Sequence, residues 1–253
     1  MISEKQRRER AKYLGSSDMA AIVGFDPFRN AYDVWLEKTD KLEADKENVV
    51  MKRGRHMELA ILNYAEEKLG PLEKDPAKLE FIKPIYHLLS HPDALFVKEP
   101  VEGKSQGNFS KEVWGEEGTD QVPDRVIIQC HVHLICTDTR TCYVPAYLPY
   151  REFQMFVVNF DYVIAQSIIE AAQHFWVEHV SKDTPPEDVV PTLAVVKRVR
   201  QLPNIHTELP KDLWEAFQAA KQDAKAAKDK QDKAQAKLLA VIGIEKFKQL
   251  RKR

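Results

Sequence analysis

A chain of 253 residues, 43% of them hydrophobic, has material for one generous domain and an appendage, which excludes wholesale disorder. No run approaches the roughly 18 apolar residues of a membrane helix, the first ten residues lack the apolar core of a secretory leader, and three cysteines are too few for a disulfide framework. A soluble protein of the cytoplasm is expected. Thirty-eight basic residues nearly balance thirty-nine acidic ones, yet residues 211–253 hold twelve Lys or Arg against six Asp or Glu, so a basic tail follows an acidic body. That asymmetry is compatible with a nucleic-acid partner, and an acidic body suits clustered carboxylates that hold cations.

Gly15-Ser16-Ser17-Asp18 is a capping pattern for a helix over residues 19–23 that Gly24 closes. A second short helix is predicted over Ala31–Lys38. In Val49–Leu69, the residues Met51, Gly54, Glu58, Ile61, Leu62, Ala65 and Leu69 share one stripe at helical spacing, and Gly70-Pro71 stops the helix. The period then changes, and residues 79–89, 94–98 and 100–104 predict a meander of three strands. Residues 106–122 read as a loop. Pro123 opens a helix to about Cys136 that is apolar on nearly every side and therefore buried. Residues 142–148 and 153–160 predict a strand pair, and residues 162–180 a long helix ending before Pro185-Pro186. Residues 181–206 read as a linker, and Lys211–Leu250 as a helical arm with a break near Gly243. The order implies a mixed α/β core over residues 1–190, with linker and C-terminal helical extension over residues 191–253.

Four pieces of this sequence suit chemistry. Glu58 lies on the apolar stripe of its helix, where a carboxylate is costly unless a cation meets it. His91-Pro92-Asp93 stands where one strand turns into the next. Glu102-Gly103-Lys104 follows within a strand, whose alternation puts Glu102 and Lys104 on one face, and a tight hairpin brings Asp93 beside them. Gln129 sits on the buried helix. Two carboxylates suit Mg²⁺, which prefers oxygen ligands and keeps its waters. Such a metal stabilises charge on a scissile phosphate and helps make hydroxide at neutral pH, and a lysine beside it positions or activates the attacking water. Glu-x-Lys alone is a common hairpin pattern. The weight rests on the order of the four pieces, each on a suitable element.

Further pieces are Tyr13-Leu14-Gly15-Ser16-Ser17-Asp18 with Gly24, Trp35-Leu36-Glu37-Lys38-Thr39, Gly54-Arg55-His56-Met57-Glu58, Trp114, Gln129-Cys130-His131 and Phe175-Trp176. Together, over residues 8–190, they resemble the YqaJ-type viral recombinase nucleases, relatives of phage lambda exonuclease within the PD-(D/E)xK superfamily. The resemblance implies a PD-(D/E)xK nuclease core, a central mixed sheet flanked by helices. It implies that Asp93 and Glu102 bind Mg²⁺ (or Mn²⁺) with the carbonyl of Gly103, that Glu58 completes the site, that Lys104 is the catalytic lysine and that Gln129 supports it. It also implies a 5′→3′ exonuclease acting on the ends of linear double-stranded DNA in phage-type recombination. A single-strand annealing protein as partner, a homo-oligomer such as a trimeric ring, and a bacterial host cytoplasm go with it. Gly103 stands where the family often has an aliphatic residue, Val126 replaces a common tyrosine, and His131 replaces a second glutamine. Arg10 and Ser17 match the spacing of a 5′-phosphate pocket, since a helix N-terminus with a serine and an arginine is a ready anion site. A plain N-cap role for Ser17 competes with that reading.

Two alternatives stand beside this one: an endonuclease of the same superfamily, and a DNA-binding or scaffold protein without catalysis. Cys130, Cys136, Cys142, His131 and His133 lack the Cys-x₂₋₄-Cys pair of structural zinc sites, and the cysteines read as core residues. In the arm, Trp214, Phe217 and the apolar residues 238–242 provide something to bury against a neighbouring subunit.

Overall fold

The computed structural model describes residues 11–43, 49–107, 113–149, 151–187, 189–200 and 208–250. The chain divides into two units, Met1–Arg200 and Gln201–Arg253.

The first unit is built on a hairpin of two eight-residue strands, β7 (Thr141–Leu148) and β8 (Glu152–Asn159), paired from Thr141↔Asn159 to Leu148↔Glu152. Alternation sends Cys142, Val144, Ala146 and Leu148 to one face, where they are buried with Phe156 and Val158. That face packs on a helix over Asp124–Thr137, whose residues 128–136 are all buried, as its all-round apolar pattern predicts. Pro123 is the N-cap of this helix rather than a first-turn residue.

Residues 79–105 depart from a three-stranded meander. Five short strands form: β2 (Phe81–Lys83), β3 (Leu88–Ser90), β4 (Ala94–Phe96), β5 (Glu99–Val101) and β6 (Lys104–Ser105). The breaks have local causes. Pro84 starts a 3₁₀ turn over Pro84–Tyr86 that ends at a left-handed His87 (φ 56°), and Val97 (φ 60°) turns β4 into β5. The two-residue β1 (Leu14–Gly15) pairs in parallel with β3, which β2 flanks in antiparallel fashion. β4 pairs antiparallel with β5, and both β5 and β6 run parallel to β7.

β5 and β6 are one strand in register, since Val101 faces Tyr143 and Lys104 faces Ala146. The interruption at Glu102-Gly103 has a cause on the neighbouring strand. Glu102 donates its N–H to the Tyr143 carbonyl at 2.9 Å, and the next donor toward the Glu102 carbonyl in a parallel ladder is residue 145. That residue is Pro145, which has no N–H to give.

Helices flank this sheet. Ser16–Ile22 and Ala31–Lys38 form with Tyr162–Phe175 a second core around Leu14, Met19, Val34, Trp35, Leu88, Val132, Ile168 and Phe175. Tyr162–Phe175 continues as a π-helix over Trp176–Val180. Val49–Leu69 is a 21-residue helix packed through Leu62 and Ala65 against Ala94, Val101 and Met155. Part of the stretch read as a linker is docked: Thr192 donates its N–H to Asp33, Val195 is buried, and Val199 bridges to Leu42. The second unit carries one helix over Lys211–Leu250, continuous through Gly243 where a break was expected. Among the described residues, no helix is long and apolar enough to cross a membrane.

Candidate active site

The two strands leading out of β3 and β5 bring acids together. Asp93 lies between β3 and β4, and its own N–H bonds the Val101 carbonyl at 3.0 Å, which closes the hairpin as expected. Its Oδ2 accepts the Gly103 N–H at 2.8 Å. Strand alternation turns the Gly103 carbonyl to the same edge as that N–H, toward Asp93. Gly103 also has a packing reason: a Cβ there would stand 3.1 Å from Ile61 Cγ2 and 3.4 Å from Asp93 Oδ2. The missing side chain lets the long helix close in through Ile61.

Glu102 and Lys104 share a face, with Lys104 Nζ donating to Glu102 Oε1 at 2.6 Å. The other oxygen, Oε2, lies 3.2 Å from His133 Nε2, off the line of a regular hydrogen bond. On the far side of that ring, Nδ1 meets Ser90 Oγ at 2.6 Å, and both Ser90 and His133 are fully buried. Neither residue was singled out as part of a nuclease site. His133 is four positions beyond Gln129, so the two share a helix face, and that spacing was a usable signal. Ser90 gave none, being joined to His133 across 43 residues of chain.

Gln129 is buried, and its Oε1 has no hydrogen-bond partner among the described residues. Glu58 corrects its expectation. It is exposed rather than core-facing, because the burial of its helix begins three residues later at Ile61 and Leu62. Partial burial and then the Glu102 charge raise its pKa, with Arg55 opposing them.

Burial, then the neighbouring charges of Glu102 and Glu58, push Asp93 well above the usual carboxylate range, with Lys104 only partly opposing them. Glu102 goes the other way: burial would raise it, but Lys104 and His133 hold it down to about 2. Burial would lower Lys104, and the Glu102 carboxylate overcomes that, leaving a firm cation. Other charges reach the cluster as well, Arg55 acting on Glu58 and Arg125 on Lys104.

The donor set fits a hard divalent cation. Asp93, Glu102 and the Gly103 carbonyl offer oxygens of the kind such an ion takes, and Gln129 Oε1 on the buried helix has no hydrogen-bond partner among the described residues. Among the described residues, no three His, Cys, Asp or Glu side chains converge into a complete metal cage. Mg²⁺ takes one or two carboxylates and fills its remaining positions with water and phosphate oxygens.

The remaining candidates sort differently. Arg10 lies outside the described residues. Ser17 is exposed in the first turn of its helix and is not the cap, a position taken by Gly15. Next to it, Asp18 is buried, accepts the Gly15 N–H at 2.9 Å, and pairs with Lys38 at 2.7 Å and Arg29 at 3.0 Å. His131 is structural: its Nδ1 takes a hydrogen bond with the Ile127 carbonyl and its Nε2 accepts the Asp161 N–H, tying two helices together. The three cysteines are buried and free, and burial pushes Cys136 up to about 12.

A curated relative, the uncharacterized protein YqaJ of Bacillus subtilis (strain 168), is 23% identical over 179 residues, 68% of this chain and 54% of that protein. The chain thus spans about half the length of this relative. Among solved structures, the alkaline exonuclease LHK-Exo of Laribacter hongkongensis aligns with TM-score 0.56 at 16% identity, covering 72% of this chain and 94% of that one. A phage related exonuclease from Haemophilus somnus 129PT aligns with TM-score 0.52 at 12% identity, covering 68% and 96%. The fold is therefore the mixed α/β fold of alkaline exonucleases. The model of the YqaJ-like viral recombinase domain matches residues 5–140, more than half of the chain, and the protein belongs to that family.

Proposed function

We propose that the protein is a metal-dependent deoxyribonuclease that degrades linear double-stranded DNA from its 5′ ends during phage-type recombination. The observation that carries the reading is the convergence of three groups: Asp93 Oδ2 accepts the Gly103 N–H at 2.8 Å, and Lys104 Nζ lies 2.6 Å from Glu102 Oε1. Two carboxylates beside one lysine suit a hard divalent cation such as Mg²⁺, with Mn²⁺ as a workable substitute.

Asp93 and Glu102 would hold the ion, with the Gly103 carbonyl on the same edge. When bound, it lowers the pKa of attacking water and stabilises charge on the phosphate. Lys104, a firm cation, is suited to orient that water and a phosphate oxygen rather than to accept a proton. Glu58 sits at the solvent side of the acids, where a charged carboxylate attracts a second cation or an incoming water. Gln129 offers its free carbonyl oxygen as a hydrogen-bond acceptor from the water shell. Action at ends, a 5′-phosphate pocket at Arg10 and Ser17, a ring-shaped homo-oligomer and a single-strand annealing partner belong to the same proposal, supported by the family. End-labelled linear duplex and closed circular plasmid, each incubated with Mg²⁺ or EDTA, test it. Digestion of the linear form alone, and only with Mg²⁺, is expected. Nicking of the circle at a comparable rate defeats the exonuclease reading, and an inert protein defeats the enzyme.

A further inference from the structure

Resting on the assignment of Asp93 and Glu102 as metal ligands, we infer that His133, braced by Ser90, is a positioning residue that fixes the Glu102 carboxylate for the cation. The two acids follow different strands, Asp93 after β3 and Glu102 after β5. A relay spans the gap between them: Ser90 Oγ to His133 Nδ1 at 2.6 Å, then His133 Nε2 to Glu102 Oε2 at 3.2 Å. Ser90 ends the strand that leads into Asp93, three residues before it, while Glu102 follows directly on β5. The imidazole thus ties the Asp93 strand to the Glu102 strand through the buried helix.

The proton positions follow from the partners. An ionised carboxylate only accepts, so Nε2 carries the hydrogen that faces Glu102. With the hydrogen on Nε2 alone, Nδ1 is the acceptor and the Ser90 hydroxyl donates to it. This arrangement selects one tautomer and one ring orientation, the role that outer partners play for ligands at metal sites. Division of labour supports it. Lys104 holds Oε1 through a long flexible stem, and that contact must loosen when Lys104 turns to water and phosphate. His133 is fully buried on a helix with few rotamers open to it, so its Nε2 stays close to Oε2, at 3.2 Å.

The test is a calorimetric Mn²⁺ titration of the full chain without DNA, comparing wild type, His133→Leu, His133→Gln and Ser90→Ala, with melting temperature recorded for each. Removing the donor in His133→Leu is expected to weaken Mn²⁺ binding by about 10–100-fold. His133→Gln, which keeps an N–H toward Glu102, should recover most of that loss, and Ser90→Ala should fall between. Unchanged affinity in Ser90→Ala and His133→Leu overturns the inference. Where His133→Leu does not fold, wild-type affinity in Ser90→Ala alone overturns it. Failure of the wild type to bind Mn²⁺, or equal binding by Glu102→Ala, overturns the metal reading itself and is distinguishable from failure of the relay.

Discussion

Two clusters of buried charge in this protein look alike in composition and differ in balance. At Asp18, one carboxylate meets Lys38 and Arg29 and a backbone N–H, and the two cations hold its pKa far below the usual range despite the burial that opposes them. At Asp93, a half-buried acid, the buried Glu102 and the exposed Glu58 stand around Lys104, and the Asp93 pKa moves up. The first cluster satisfies itself and joins two helices. The second, on the proposed reading, is completed by an added cation. Buried ionic groups with mutually opposed shifts mark sites of function more often than of scaffolding, and the contrast between these two separates the cases.

The comparison breaks first at activity. Asp93→Ala or Glu102→Ala should reduce DNA digestion to background while circular dichroism stays that of the wild type. Lys104→Ala should lose turnover yet still bind Mn²⁺. Next in size is stability. Removing one partner of a buried ion pair costs about 3–5 kcal/mol, so Asp18→Asn should lower the melting temperature sharply. Metal-free Asp93→Asn should be neutral or stabilising, because it relieves repulsion and its amide oxygen still accepts the Gly103 N–H.

The pH dependence sharpens the same contrast. Asp18 is depressed on folding, so its stabilisation is present above the unfolded carboxylate pKa of about 4 and is lost as pH falls below that. Asp93 is raised, so its contribution is full below about pH 4 and is lost as pH climbs through its folded value. In EDTA the second loss should appear as a decline in melting temperature toward neutral pH that Asp93→Asn abolishes. Saturating Mg²⁺ should remove it too, adding about 2.7 kcal/mol at a hundredfold excess over Kd. The smallest effect concerns the second unit. A chain ending at Arg200 should keep its metal-dependent chemistry on short duplexes, measured as nucleotide release. Any contribution of the basic helix should appear as weaker, less salt-sensitive binding to long DNA, or as a smaller oligomer in sedimentation.

What the sequence disclosed follows the range of the interactions involved. Ala31–Lys38 and Val49–Leu69 are legible because capping residues and helical spacing are local. The β7–β8 hairpin is legible because its alternation is sustained over eight residues per strand. The short strands between residues 79 and 105 were blurred, since a 3₁₀ turn at Pro84 and a left-handed His87 break the period within three residues. The gap at Glu102-Gly103 arises from Pro145 on another strand, which no local pattern announces. Asp93, Glu102 and Lys104 could be paired in advance because hairpin geometry relates them. Glu58 was misplaced because helical spacing shows which stripe a residue occupies but not where along the helix burial begins. Ser90 and His133 stayed hidden because their meeting depends on the whole fold.

The most direct measurement of the central claim uses Asp93→Asn, the substitution that keeps the hairpin hydrogen bond and removes one charge. Release of labelled nucleotide from a linear duplex in Mg²⁺ should be absent, while the variant melts at or above the wild-type temperature in EDTA. Wild-type release by that variant would contradict the claim that the acids at Asp93 and Glu102 hold the catalytic metal.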